Sequence, residues 1–202
     1  MKTFQASIFG VAALALAFTA QAQDYRAQAI SMMKRDFHAK GIAHMDRLNE
    51  DALQMVCNRS HDNPPKGVAE TLQQDQLATI QYPADGKFLG DWKAGEKIAQ
   101  NGAGMTWKDG GGKPNGGSCY NCHQIGPATT SFGDIGNSLL HFGKTRGYGT
   151  DMQKYVYGKI YNAKAYNLCS KMPRFGHSGT LTEQQIKDLV ALLLDPNSPV
   201  NK

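Results

Sequence analysis

The apolar positions of this chain recur mostly at helical spacing, and no segment shows the sustained alternation that is typical of a strand. The last pattern is the clearest, because Thr182 and Gln185 form a capping box before it and Asp195-Pro196 follows it. One face of this predicted helix consists of Ile186, Leu189, Val190 and Leu193. Asp91 is a suitable N-cap for another helix over residues 92–100. The pattern as a whole predicts an all-α protein.

Other stripes divide the chain into an N-terminal helical segment and a more compact region that begins near Tyr82. Near the N-terminus, two helical stripes consist of Ile30, Met33 and Phe37, and of Leu48, Ala52, Met55 and Val56. In the compact region, a helix that starts at Thr150 or Asp151 has one face made of Met152, Val156 and Ile160. The prolines of residues 58–67 predict a loop, residues 73–82 show no clear period, and the seven glycines of residues 101–117 predict a long loop.

The first 22 residues have the pattern of a secretory signal peptide. Lys2 precedes an uncharged apolar run over residues 8–18, and Ala20-Gln21-Ala22 has the small-x-small pattern of a cleavage site. The run is too short for a bilayer core of about 30 Å, so a retained anchor is the less favoured alternative. The sequence therefore predicts an exported mature protein of residues 23–202, without a membrane span, in an oxidising compartment.

Charge changes this picture little. The chain has 22 basic and 17 acidic residues, a formal net charge of +5, and removal of Lys2 with the leader leaves 21 against 17, or +4. These charges are spread along the chain without a basic run, so the sequence does not indicate nucleic-acid binding. A charge of this sign permits docking on an acidic protein partner.

The candidate chemistry is concentrated in the stretch GGSCYNCHQIGPA, which contains the motif C-x-x-C-H. A dithiol redox switch, half of a zinc site and covalent haem attachment all use such a cluster. Thioredoxin-type dithiols accompany a βαβ pattern that is absent here, and the other cysteines, Cys57 and Cys169, are too isolated to supply a second zinc-ligand pair. The motif favours haem c, with Cys119 and Cys122 as the thioether links and His123 as an axial iron ligand.

A second axial ligand is sought among the remaining methionines and histidines. Met172 lies in CSKMPRFG, outside any helical period, and Pro173 holds the chain extended there. Met152 belongs to a helical stripe, and Met105 lies in the glycine-rich loop close to the motif. We therefore expect Met172 as the ligand, with His177 or an open position as the alternatives.

Several segments occur in the order that class I cytochromes c use: CYNCHQIGPA, GDIGNSLLHFGKTRG, SKMPRFG and LTEQQIKDLVALLLD. Two more, YPADGKFLGDWKAGEKIAQNG and MMKRDFHAKGIAHMDRLNEDALQMVC, resemble the SoxX family, the monohaem subunits of SoxXA cytochrome complexes. The resemblance covers most of the mature chain. It implies a class I cytochrome c fold over residues 82–202, preceded by a helical extension over residues 23–81. The final helix has no aromatic residue to pack on Gly95, so we expect Leu192 or Leu193 in that place.

The resemblance also implies roles for single residues. His123 and Met172 would be the axial ligands, and the backbone carbonyl of Pro127 would accept a hydrogen bond from Nδ1 of His123. Arg146, in KTRGYG, would either approach a haem propionate or be an ordinary surface charge.

The two remaining cysteines, Cys57 and Cys169, are expected to form a disulfide in an oxidising compartment. The alternative is a pair of buried free thiols. A bond between them would tie the N-terminal helices to the loop that carries Met172.

For function, the resemblance implies a heterodimer with a SoxA-like cytochrome subunit in the periplasm. Such complexes oxidatively join thiosulfate to a cysteine of a SoxYZ-like carrier, an L-cysteine S-thiosulfotransferase activity, and the catalytic cysteine is expected on the partner subunit. This chain would accept the released electrons and pass them to an electron-acceptor cytochrome. A free-standing cytochrome c shuttle and a haem-based ligand sensor are the alternatives.

Overall fold

A computed structural model of the chain describes residues 25–109 and 114–202. The predicted signal peptide, residues 1–22, lies outside the described residues, as does the middle of the glycine-rich loop. The described residues form helices and turns without a strand, and an isolated bridge joins Lys40 and Ala43. The expected all-α class is therefore confirmed for this part of the chain. None of its helices is long and apolar enough to cross a membrane.

The chain divides into two units, residues 1–49 and 50–202. This division lies upstream of the boundary at residue 82 between the extension and the haem domain, which stays a prediction. In the first unit, the described part of helix α1 covers residues 25–36, and a short 3₁₀ helix covers Met45–Leu48. The predicted stripe of α1 is exposed rather than buried: Ile30 is 41% and Phe37 56% accessible to solvent.

The second unit contains the remaining helices, which are α2 (Ala52–Arg59), α3 (Lys66–Ala78), α4 (Trp92–Gln100), α5 (Phe142–Arg146), α6 (Thr150–Tyr161) and α7 (Glu183–Leu194). The predicted starts of α4 and α7 are confirmed. The side chain of Asp91 accepts a hydrogen bond from the backbone N–H of Lys93, at 2.9 Å. Thr182 and Gln185 form a reciprocal capping box at the start of α7. Both caps consist of hydrogen bonds between residues that are close in sequence, so they can be predicted without knowledge of how the helices pack.

The crossing of α4 and α7 is the centre of the core. A Cβ built on Gly95 would lie 2.1 Å from the backbone oxygen of Asp188 and 3.1 Å from Cβ of Leu192. The helices thus approach so closely that only glycine fits at this position. Of the two leucines expected beside Gly95, the structure places Leu192 there. The surrounding core includes Ala99, Ile125, Tyr157, Ile186, Val190 and Leu194.

Two expectations for the N-terminal helices were wrong. In α2 the buried residues are Leu53 and Cys57, not the predicted stripe, because this face packs on Leu168 in a second small cluster. Helix α3 was missed altogether. It has no fully buried residue and is held partly by polar contacts, such as the hydrogen bond from Asn162 Nδ2 to Gln76 Oε1 at 3.1 Å. A helix that packs through amides shows little apolar periodicity.

Candidate functional site

A cavity of about 1300 Å³ in the second unit is bordered by the C-x-x-C-H motif. Pockets for drug-sized ligands usually enclose about 300–1,000 Å³, so this space is large enough for a ligand bigger than most of these. The wall is mainly apolar and includes Ile125, Leu139, Phe142, Val156, Ile160, Phe175, Leu189 and Leu193. Cys119, Cys122, His123 and Met172 all line this same cavity, although Met172 comes from a distant part of the sequence.

A short 3₁₀ helix, Cys119–Asn121, positions the motif on the cavity wall. The backbone N–H groups of Cys122 and His123 both donate to the carbonyl of Cys119, at 3.1 and 2.9 Å. Ser118 precedes the turn in the left-handed region, with φ of 50°. This tight turn brings both cysteines and the histidine to one side of the core, as the spacing of the motif requires.

The segment after the motif runs back along it. The N–H of Gly136 donates to the carbonyl of Cys122 at 2.8 Å, and the N–H of Leu139 donates to that of Gln124 at 2.7 Å. A Cβ on Gly136 would lie 2.2 Å from Cε1 of His123. The imidazole therefore rests directly on the backbone of this segment, and any side chain at residue 136 would displace it.

The partner of His123 differs from the expected one. Its Nδ1 lies 2.7 Å from the backbone oxygen of Asn137, not of Pro127. The reason is the segment just described, since its ladder of backbone hydrogen bonds brings the Asn137 carbonyl to the ring. The expected consequence is unchanged, because an Nδ1–H donated to any carbonyl leaves the lone pair of a neutral imidazole on Nε2, where a metal can bind.

Met172 lies on the cavity wall and packs against the main core. Its backbone N–H donates to the hydroxyl of Ser170 at 3.2 Å. Met105 and Met152 also line the cavity, so three thioethers border it. The rival His177 is exposed and is not part of the described wall, and its backbone N–H donates to the carbonyl of Tyr161.

The thiol of Cys119 does not have the environment of a reactive thiol. Burial raises the pKa of Cys119 to about 12, whereas redox-active and metal-binding thiols have a lowered pKa. In the described part of the chain, the ligand atoms of Cys119, Cys122 and His123 do not all lie within 4.8 Å of one another. The group that does meet this distance consists of Cys57, Asp62 and Cys169, and its two cysteines are joined in a disulfide. This arrangement differs from a closed tetrahedral zinc site.

Cys57 and Cys169 are joined by a disulfide in the structure, with 5.5 Å between their Cα atoms. The bond closes a separation of 112 residues and connects α2 to the segment before Met172. It therefore brings helical residues that the sequence assigned to the extension beside the cavity region.

Three basic residues border the cavity among its apolar walls, and one of them, Lys171, is paired with Asp62. Arg146 lines it and is exposed to solvent. Lys159 lines it as well, and burial lowers the pKa of its ammonium group. Nζ of Lys159 donates to the carbonyl of Ala163, at 3.4 Å. Positive groups at this wall suit a ligand with acidic substituents.

Comparison with known proteins gives one informative match. Over 157 residues the chain is 40% identical to an uncharacterized lipoprotein of Aquifex aeolicus (strain VF5). The aligned region covers 76% of this chain and 73% of that protein. The chain belongs to the family of this lipoprotein. No protein-family model matches it.

Sequence reasoning missed two residues of the site. They are Gly136, which supports the imidazole, and Asn137, whose carbonyl faces Nδ1 of His123. A signal was available in the segment SFGDIGNS, where two glycines follow the motif closely. Glycines at such positions indicate close backbone approach, but not to which side chain.

Proposed function

We propose that this protein carries one covalently bound haem c and transfers electrons. The observation that supports this most is the shared cavity wall of Cys119, Cys122, His123 and Met172. A C-x-x-C-H motif with a thioether on the same large apolar cavity is the residue set that a His/Met haem c requires.

The residues present fit the group. The thiols of Cys119 and Cys122 would hold it covalently, and Nε2 of His123 and the sulfur of Met172 would bind its iron. Haem supplies a one-electron iron couple when bound. Asn137 orients the imidazole through the 2.7 Å contact to Nδ1, which increases the basicity of the ligand. The mainly apolar wall would limit the access of water to the haem and thereby help to set its potential.

The finer fold and location belong to the same proposal. We propose a class I cytochrome c fold over residues 82–202, because the close crossing at Gly95, the motif and the Met172 segment follow in the order of that family. We place the mature protein in the periplasm. The signal pattern of residues 1–22 supports export, and the name of the Aquifex relative, a lipoprotein, agrees with it.

As a narrower role, we propose the electron-transfer subunit of a SoxXA-type complex, an L-cysteine S-thiosulfotransferase. The chain would pair with a SoxA-like subunit, accept electrons when thiosulfate is joined to a SoxYZ-like carrier, and reduce an acceptor cytochrome. The sequence resemblance supports this role. Exposed apolar side chains on and beside α1 also support a partner: Tyr25 is 67%, Met32 53% and Phe37 56% accessible.

Mass analysis and spectroscopy of the protein made in a strain that matures c-type cytochromes test the cofactor. The native chain should carry the added mass of one haem after denaturation, with spectra of His/Met ligation. A Cys119→Ala/Cys122→Ala variant should lose this mass, whereas the matched Cys57→Ala/Cys169→Ala variant should retain it. A native protein without added mass would refute the proposal.

Purification of the tagged chain from its native host tests the complex. A stoichiometric second haem subunit should accompany it, and a lone haem-loaded monomer would instead favour the free-standing shuttle. Carbon monoxide separates electron transfer from ligand sensing. The reduced native protein should be inert at neutral pH, and prompt binding would favour a sensor.

A further inference from the structure

The segment that carries Met172 is covalently attached at its start. Cys169, three residues before Met172, is bonded to Cys57 in α2. Cys57 is only 3% exposed and lies in a small cluster with Leu53 and Leu168. This end of the segment therefore moves only when α2 moves with it.

An ion pair holds the other end of the segment. Arg174, two residues after Met172, donates through Nη2 to Oδ2 of Asp51, and its Nη1 lies 3.4 Å from Oε1 of Gln76 in α3. Asp51 is the N-cap of α2, where its other oxygen, Oδ1, accepts the N–H of Gln54 at 2.7 Å. The Arg174 side chain is only 17% exposed, so solvent screens this pair less than an ordinary surface pair.

A third contact adds little to these two. Nζ of Lys171 lies 2.9 Å from Oδ1 of Asp62, but the two side chains are 68% and 46% exposed. Exposed pairs of this kind contribute weakly to stability. Closer to Met172, Nζ of Lys164 donates to the backbone oxygen of Ser170 at 3.1 Å. The attachments that join the segment to α2 are the disulfide and the Asp51–Arg174 pair.

We propose that Asp51, Arg174 and the Cys57–Cys169 disulfide are positioning residues that hold the thioether of Met172 on the cavity wall. Met172 lies between the two attachments, with Pro173 as a stiff neighbour, so its sulfur has little freedom to leave the cavity. Through these contacts, α2 and α3 would keep Met172 in place as the proposed iron ligand. This inference relies on the proposed function in one respect, the ligation of iron by Met172.

Asp51→Asn is the sharpest variant. Asparagine caps helices about as well as aspartate, so the start of α2 is preserved while the charge that faces Arg174 is lost. The measurement is the rate of carbon monoxide binding to the reduced, haem-loaded protein, because carbon monoxide enters only when the thioether is displaced. A charge-assisted hydrogen bond changes an equilibrium by roughly tenfold or more, so binding should be about tenfold faster than in the native protein.

Two further variants make the test independent of folding. Glu70→Gln is the matched control, since it removes the exposed 3.9 Å pair with Lys66 on α3 and should leave the rate unchanged. Cys57→Ser/Cys169→Ser removes the other attachment and should also accelerate binding. Circular dichroism at the assay temperature selects conditions in which every variant is folded.

The outcomes separate this inference from the proposed function. Faster carbon monoxide binding in folded Asp51→Asn and in the cysteine variant, with no change in Glu70→Gln, supports the positioning role. If native protein shows His/Met spectra and all folded variants bind carbon monoxide as slowly as it does, the positioning role is wrong and the function stands. If native protein carries haem without thioether ligation, the positioning role and the assignment of Met172 as a ligand are wrong, whereas absence of the haem mass refutes the proposed function itself.

Discussion

Gly95→Ala is the substitution that most directly tests the crossing of α4 and α7. The new Cβ would lie 2.1 Å from the backbone oxygen of Asp188, and real Cβ atoms essentially never approach closer than 3.0 Å. The deficit is 3.0 − 2.1 = 0.9 Å. Because the obstacle belongs to the backbone of α7, no rotamer change can relieve it, and the helices must separate.

The expected cost follows from two opposing effects. Overpacking a well-filled core costs about 1–3 kcal/mol, and a rigid backbone obstacle places this site at the upper end, about 3 kcal/mol. Alanine is the better helix former by about 1 kcal/mol, which offsets part of this. The net destabilisation is therefore about 2 kcal/mol, or a shift of about 4–8 °C in Tm for a protein of this size.

Urea unfolding of the haem-loaded protein, followed by far-ultraviolet circular dichroism, measures this change. Gly67→Ala is the matched control, since Gly67 lies in α3 and a Cβ there has no atom within 4 Å. That variant should be neutral or more stable by up to about 1 kcal/mol. If Gly95→Ala proves as stable as Gly67→Ala, the close crossing of α4 and α7 is wrong.

Three further predictions concern the site and its attachments. Gly136→Ala should displace the His123 imidazole, whose Cε1 lies 2.2 Å from the new Cβ, and should perturb the axial-ligand spectrum; an unchanged spectrum would contradict the placement of the ring. Reduction of the Cys57–Cys169 disulfide, which spans 112 residues, should lower the free energy of unfolding by up to about 5 kcal/mol, and equal urea midpoints with and without reductant would argue against the bond. Burial acts to raise the pKa of Asp51, but the Gln54 amide and the Arg174 guanidinium outweigh it and hold this pKa below its ordinary value. Its ionised form therefore stabilises the fold above the unfolded pKa of about 3.9, and this contribution is lost as pH falls through the lower folded pKa. The difference in unfolding free energy between native protein and Asp51→Asn should therefore be smaller at pH 3 than at pH 7. An equal difference at the two pH values would contradict the Asp51–Arg174 pair.

The proposed positioning role gives residues 50–81 a purpose within the second unit. A methionine on a loop is a weak iron ligand unless the loop is held, because ordering a flexible segment costs conformational entropy. The disulfide and the Asp51–Arg174 pair would order the Met172 segment when the protein folds, so that this entropy is not lost again when a ligand binds. Helices outside the core would in this way influence the proposed iron site.

The sequence alone determined those features whose causes are local. The capping box of Thr182 and Gln185 and the N-cap Asp91 form hydrogen bonds with backbone N–H groups only two or three residues away. The sequence alone therefore predicts them. The spacing of Cys119, Cys122 and His123 likewise predicts covalent haem attachment before any fold is known. The pairing of Cys57 with Cys169 was predicted because they are the two cysteines outside the motif and the predicted compartment is oxidising.

Tertiary structure decided what depends on distant neighbours. Helix α3 has little apolar period because amides such as Gln76 hold it to Asn162, and no local signal reports such a partner. The carbonyl that meets Nδ1 of His123 belongs to Asn137 because a returning segment brings it there. The pairing of Asp51 with Arg174 joins residues 123 positions apart. Contacts between residues so far apart in sequence depend on how the helices pack against one another. The sequence pattern of a single helix does not show which neighbouring surface it will contact.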